Sequence, residues 1–289
     1  MKKSDSRPTF FYFRIHINKT MKRFTQFILG IALLTTLTLA CSSNRNIALK
    51  QNAGVVADPS LYATLYQQFA AEYKALCFQA YNIASFRLDE ALQRKYHRPL
   101  SIVLDIDETV LDNIPYQAAA LKGNFGYPVQ WDEWMNKADA EPLEGVVKFL
   151  QRAEDEGVTI FYISNRKDKY KAATIENLKA KQLPFADEDH VLLRTDGNEK
   201  NTRRNLVAQN FEIIMFIGDN LGDFDGIFDT TDAQLRTEAT IKYADSFGEK
   251  WIVLPNPVYG NWVDALRGYD LKLPPQALAD TLKNSLIEF

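Results

Sequence analysis

Histidine and cysteine are scarce in this chain, three and two among 289 residues. His16, His97 and His190 stand far apart and no Arg-His-Gly motif occurs, which argues against a histidine phosphatase and against a His-rich zinc site. Basic residues are not in excess either, since 34 Lys and Arg face 37 Asp and Glu. Seven of those basic residues, against one acid, lie in the first 40 positions, so the rest is decidedly acidic and a basic nucleic-acid-binding face is not expected. The apolar run from Phe24 to Leu39 is shorter than the roughly 20 residues a membrane-spanning helix needs.

That run has a different meaning. Met21 is followed by basic Lys22 and Arg23, then the apolar stretch broken mainly by threonines, then Ala40, Cys41 and polar Ser42 and Ser43. This is the order of a signal peptide. A small residue followed by cysteine resembles a bacterial lipoprotein cleavage site, so Cys41 is expected to carry lipid, although Thr38 stands where a leucine is usual, between Leu37 and Leu39. The other cysteine, Cys77, then has no partner for a disulfide and, in a helical pattern, reads as packed core. Residues 1–20 precede a complete signal, which makes Met21 the expected start. The expected organisation is a leader over 1–40, a lipid-anchored tether over 41–57 and one α/β domain over 58–289. Export to the cell envelope, as an outer-membrane lipoprotein, is the expected localisation.

Within 58–289, apolar residues recur at helical spacing from Leu61 to Leu92, which predicts N-terminal helices over 58–97. Short β-type runs follow: Ser101 to Asp105, Thr159 to Ser164, His190 to Leu193, Ile213 to Ile217 and Trp251 to Leu254. Helical stretches fill the gaps at Gly145 to Asp155, Lys171 to Lys181, Asn201 to Asn210 and Asp232 to Phe247. Alternation of this kind predicts a parallel, Rossmann-like sheet with helices on both faces. The segment 115–142, with aromatics, Gly123, Gly126 and Pro128, interrupts the alternation and reads as a small, mostly helical cap.

Three of the predicted strand ends carry polar side chains, and in open parallel sheets those ends are where ligands bind. Asp105 and Asp107 follow Ile102 to Leu104; Ser164, Asn165 and Arg166 follow Ile163; Asp219 and Asp223 follow Ile217. Lys200 opens a helix that also offers Arg203 and Arg204. A bare Asp-x-Asp pair is common in solvated loops. Carboxylates, a hydroxyl and a cation at three strand ends are what phosphoryl transfer with a hard metal requires, with one carboxylate as nucleophile and the other as acid and base.

The segments IVLDIDETVLDNIPY (Ile102 to Tyr116), FYISNR (Phe161 to Arg166) and FIGDNLGDF (Phe216 to Phe224) resemble the haloacid-dehalogenase superfamily, and within it the bacterial class C acid phosphatases of the lipoprotein 5'-nucleotidase group. The likeness runs from EYKALCFQAYNIA (Glu72 to Ala84) to VLPNPVYGNW (Val253 to Trp262). It implies Asp105 as nucleophile, Asp107 as general acid and base, and Ser164 and Lys200 on the phosphoryl oxygens. It also implies Mg²⁺ held by the Asp105 carboxylate, the Asp107 backbone carbonyl and the Asp219 carboxylate, with Asp223 orienting from behind. Lys200 lies in DGNEKNTRR (Asp196 to Arg204), where Arg203 or Arg204 could share its role. Glu108 and Asp112 read as structural or capping acids.

The same resemblance implies an aromatic clamp for a base or ring, falling on Trp131 and Tyr259, with Asn165 and Arg203 as further substrate contacts. The rings of Trp131 and Trp134 could instead be ordinary core. The function implied is hydrolysis of small phosphomonoesters, nucleoside monophosphates among them, through a phosphoaspartate. A phosphotransferase using the same aspartyl phosphate and a non-catalytic ligand-binding lipoprotein are the alternatives, and the sequence leaves monomer and homodimer open.

Overall fold

The structure, a computed structural model, describes residues 60–195, 197, 200–266, 273 and 275–289. The leader, Cys41 and the tether lie outside the described residues. Asp58–Phe289 form one compact unit.

Two helices open it, α1 (Ser60–Phe69) and α2 (Ala71–Leu92). The long helical pattern breaks once, at Ala70, whose backbone is extended. In α2 a stripe of Tyr73, Cys77, Ala80, Tyr81, Ala84, Leu88 and Ala91 is buried, at the three- and four-residue spacing of one helix face. Cys77 is fully enclosed, as the core reading expects.

The five strands are β1 (Leu100–Leu104), β2 (Thr159–Lys167), β3 (Val191–Arg194), β4 (Glu212–Gly218) and β5 (Trp251–Val253). They pair in parallel in the order β3-β2-β1-β4-β5. Ile102, Val103 and Leu104 are all buried, the continuous apolar run expected of a central strand covered on both faces. Each such side chain contributes roughly 1.5 to 3 kcal/mol relative to exposure. The covering helices are α5 (Val146–Asp155), α6 (Lys171–Ala180), α7 (Asn201–Asn210) and α8 (Ala233–Lys242), after the cap helices α3 (Ile114–Gly123) and α4 (Trp131–Lys137).

The helix expected over Asp232 to Phe247 stops at Lys242 and gives way to a single tight turn at Ala244–Ser246. Two later helices, α9 (Asn261–Leu266) and α10 (Pro275–Asn284), were not among the expected elements. No helix among the described residues is long and apolar enough to cross a membrane.

From β1 the chain builds outward through β2 and β3, then returns to the other side of β1 for β4 and β5. The crevice between the carboxyl ends of β1 and β4 is therefore the point where the winding reverses. In such sheets that crevice is the ligand site.

Candidate active site

Asp105 follows β1 directly, and its N–H donates to the Ile217 carbonyl at 3.0 Å, carrying the sheet ladder one residue into the crevice. Asp219 follows β4. Asp223 comes from the next turn, where Asn220 N–H donates to Asp223 Oδ2 at 2.9 Å. Gly218 permits this: a Cβ there would collide with the Asp223 carboxylate. Asp105, Asp219 and Asp223 can each offer one oxygen within 4.8 Å of the others, a grouping that could hold a metal ion.

One cation lies among them. Lys200, at the start of α7, pairs with Asp105 and, at 2.7 Å, with Asp223. Burial pushes the Asp105 carboxyl up to about 7, with Asp223 and Asp107 adding to the shift and Lys200 opposing it. Asp219 is raised well above the usual carboxylate range by burial, then by Asp223 and Asp105. Burial works against the Lys200 charge, but Asp105 and Asp223 outweigh it and raise its pKa. Three acids with one lysine are short of positive charge, and oxygen donors of this kind suit a hard divalent cation.

Asp107 stands beside this cluster. Its Oδ2 accepts from Ser164 Oγ at 2.9 Å, and its Oδ1 accepts from Arg166 Nε at 2.9 Å and Asn113 Nδ2 at 2.7 Å. Glu108 turns the chain sharply after it, at φ 55°. The Glu108 carboxyl is fully buried and accepts from the Asn113 N–H at 2.7 Å, while Asp112 accepts from the Ile114 N–H at 2.8 Å. Both acids thus cap the entry to α3, as their structural reading expects.

The remaining residues singled out from the sequence fall into two groups. Arg203 donates to the carbonyls of Ser164 and Leu192 and to Asn165 Oδ1, the last at 2.7 Å, so Arg203 and Asn165 brace the end of β2. Arg204 is buried and donates to the carbonyls of Gly222 (2.7 Å) and Asp223 (2.9 Å), pinning the turn that carries Asp223. Lys200 pairs with the acid cluster through Asp105 and Asp223. Trp131, on α4, meets the rings of Tyr116 (centroids 4.8 Å apart) and Tyr127 (5.5 Å). Tyr259 is half-buried in the loop after β5, where its N–H donates to Asn256 Oδ1 at 3.2 Å. No ring contact joins Trp131 to Tyr259 among the described residues.

Several site residues escaped sequence reasoning. Asn256 Nδ2 donates to Asp219 Oδ2 at 2.8 Å and Thr109 Oγ1 to Asp219 Oδ1 at 3.3 Å, so both oxygens of that acid are oriented. Asn113 and Arg166 hold Asp107, and Trp134 Nε1 donates to Asn113 Oδ1 at 2.7 Å. Asn113, Thr109 and Asn256 lie outside helices and strands and follow no periodicity, while Arg166 and Trp134 were visible in the sequence but without these partners.

A parallel α/β sheet with paired acids and a lysine at its switch point is the arrangement that phosphoryl transfer with a hard metal requires. Residues 31–262 match the model of the HAD superfamily, subfamily IIIB (acid phosphatase), and the chain belongs to that family. Among solved structures, it is similar to the class C acid phosphatase from Bacillus anthracis at 43% identity, over 81% of this chain and 98% of that one, with a TM-score of 0.79. Among curated proteins, the Stem 31 kDa glycoprotein of Glycine max is 29% identical over 67% of this chain and 69% of its own length. Acid phosphatase 1 of Solanum lycopersicum is 27% identical over 54% of this chain, which spans only 57% of that protein. The protein is a phosphoric monoester hydrolase acting on small phosphoesters, and its acidic cluster is suited to a metal ion.

Proposed function

We propose that Asp105 is the nucleophile, Asp107 the general acid and base, and Mg²⁺ the metal. The observation that carries this is the meeting of Asp105, Asp219 and Asp223 around Lys200, with Asp107 alongside. An Asp105 oxygen attacks phosphorus as the ester P–O bond breaks, and Asp107 gives its proton to the departing oxygen. Asp107 then takes a proton from water as that water attacks the phosphoaspartate, which releases phosphate and restores Asp105. Lys200 and Ser164 hold phosphoryl oxygens. Mg²⁺, held by Asp105, Asp219 and the Asp107 carbonyl with Asp223 behind, would offset repulsion between the carboxylate and the anionic ester. The Bacillus anthracis enzyme has been solved with tungstate bound, an oxyanion of phosphate-like charge and shape, which supports an oxyanion site. A phosphate-release screen over mononucleotides, sugar phosphates and aryl phosphates, with and without Mg²⁺, tests the whole reading. Release that ignores Mg²⁺ removes the metal from it.

Nucleoside monophosphates are the proposed substrates, with Trp131 and Tyr259 as the clamp for the base. The Asn256 link between Tyr259 and Asp219 supports a ring placed near the acid cluster. A base stacked on an aromatic contributes about 1 to 3 kcal/mol. If that is realised equally in ground and transition states, Tyr259→Ala raises KM for 5'-AMP with little change in kcat. Glycerol phosphate, without a ring, should be indifferent. An equal penalty on both, with a lowered melting temperature, would instead make Tyr259 core.

The chain is further proposed to be exported and held at the outer membrane by lipid on Cys41, supported by the apolar run ending at Ala40 and Cys41. Expressed in bacteria, the full chain should enter the detergent phase and Cys41→Ala the aqueous phase. A variant that stays with detergent rules the anchor out.

A further inference from the structure

We propose that Asn113, locked in one orientation by Trp134 of the cap, positions Asp107 for proton transfer; this rests on the acid and base role given to Asp107 above. Asn113 is fully buried at the entry to α3. Its backbone N–H donates to Glu108, its Nδ2 donates to Asp107 Oδ1 at 2.7 Å, and its Oδ1 accepts from Trp134 Nε1 at 2.7 Å.

The direction of these bonds decides the geometry. An indole N–H can only donate, so it must face the amide oxygen, and the amide NH₂ is left for Asp107 Oδ1 at 2.7 Å and, more distantly, Glu108 Oε2 at 3.5 Å. Without the indole, the amide gains freedom to turn over and present oxygen to carboxylate oxygen, a repulsive pairing. With Trp134 in place, Asp107 Oδ1 receives two donors, Asn113 Nδ2 and the buried Arg166 Nε at 2.9 Å. Those two donors fix the plane and direction of the carboxyl group. Oδ2 is left facing Ser164 Oγ at 2.9 Å, a hydroxyl that can rotate to accept instead of donate.

The device also joins the cap to the chemistry. Trp134 lies one turn along α4 from Trp131, and on the same helix Asp132 accepts from Lys169 at 2.9 Å and from the Tyr170 hydroxyl. The helix that carries one proposed clamp residue therefore also orients the acid.

The test compares kcat/KM for an alkyl ester, glycerol phosphate, with that for p-nitrophenyl phosphate, using full-length protein with Mg²⁺. This parameter reports phosphoenzyme formation, and an alkoxide needs proton donation far more than a nitrophenolate does. Asn113→Ala should lower the alkyl-to-aryl ratio roughly tenfold or more, as expected when a catalytic group is misplaced by a fraction of a bond length. Trp134→Phe, which keeps a packed ring but removes the N–H, should lower it in the same direction by a smaller factor. An unchanged ratio in both, whatever happens to the melting temperature, overturns the proposal. Should Asn113→Ala fail to fold, Trp134→Phe decides alone. Asp107→Asn separates the two levels: a lowered ratio there with none in the other variants overturns only the positioning role, while no change in Asp107→Asn removes the acid role and the proposal with it.

Discussion

Asp105→Asn should reduce phosphate release on the order of 10⁴-fold or more, and at the same time make the metal-free protein less sensitive to rising pH. The first effect follows from the proposed chemistry, because a carboxamide neither attacks phosphorus nor carries the intermediate, and loss of a nucleophile in other hydrolases costs that much. The second follows from burial. The Asp105 carboxyl is pushed up to about 7 by burial, with Asp223 and Asp107 adding to the shift. Between the ordinary carboxylate range and that value, the folded protein keeps a proton that the unfolded chain has released. A state that holds more protons loses stability as pH rises, so the metal-free protein should weaken from about pH 4 to about pH 7, by an amount of order a few kcal/mol. An asparagine cannot ionise, and that contribution to the slope disappears. Asp219, also raised, keeps a slope of the same sign. Melting temperatures of both proteins in chelator at pH 5 and pH 8 check this, alongside turnover. Identical pH slopes would show that Asp105 is already ionised in the metal-free fold, and turnover within tenfold of the parent would remove it as nucleophile.

Whether such a site could be foreseen depended on how each residue is encoded. Asp105, Asp219 and Ser164 are tied to strands whose apolar runs are conspicuous, so their convergence at strand ends followed from the alternation alone. Lys200 was harder, since it stands at a helix start rather than at a strand end, and its pairing with Asp105 and Asp223 is seen only in the fold. The residues that orient these groups were not legible. Asn113, Asn256 and Trp134 act through side-chain hydrogen bonds that only the folded loops and cap bring together, and a lone asparagine or tryptophan has too many ordinary uses to be chosen from spacing. Boundaries slipped for related reasons: α9 and α10 sit among prolines and glycine that usually mark loops.

Removing divalent metal with a chelator should abolish turnover, and Mg²⁺ should restore it with an affinity that falls as the solution is acidified. Three carboxylates share the crevice with one lysine, and a phosphate ester brings further negative charge. Without a cation, that excess opposes both ionisation of Asp105 and approach of the ester. Because burial and mutual repulsion raise Asp105 to about 7 and Asp219 well above its ordinary range, metal-free protein below neutrality holds protons on the ligands themselves. A metal must displace them. Each proton so displaced weakens binding by up to tenfold for every pH unit below the pKa it replaces, so the loss between pH 7 and pH 5 should reach about a hundredfold for a single proton. Asn256 and Thr109 orient Asp219 in advance, which limits the reorganisation the ion demands and leaves proton displacement as the main opposing cost. Calorimetry in two buffers of different ionisation enthalpy measures affinity and proton release together. Proton release at pH 6 with weakening toward pH 5 is the expected result. Binding that releases no protons and is equally tight at pH 5 and pH 7 would mean the acids are ionised beforehand, with Lys200 alone sufficient to hold them so.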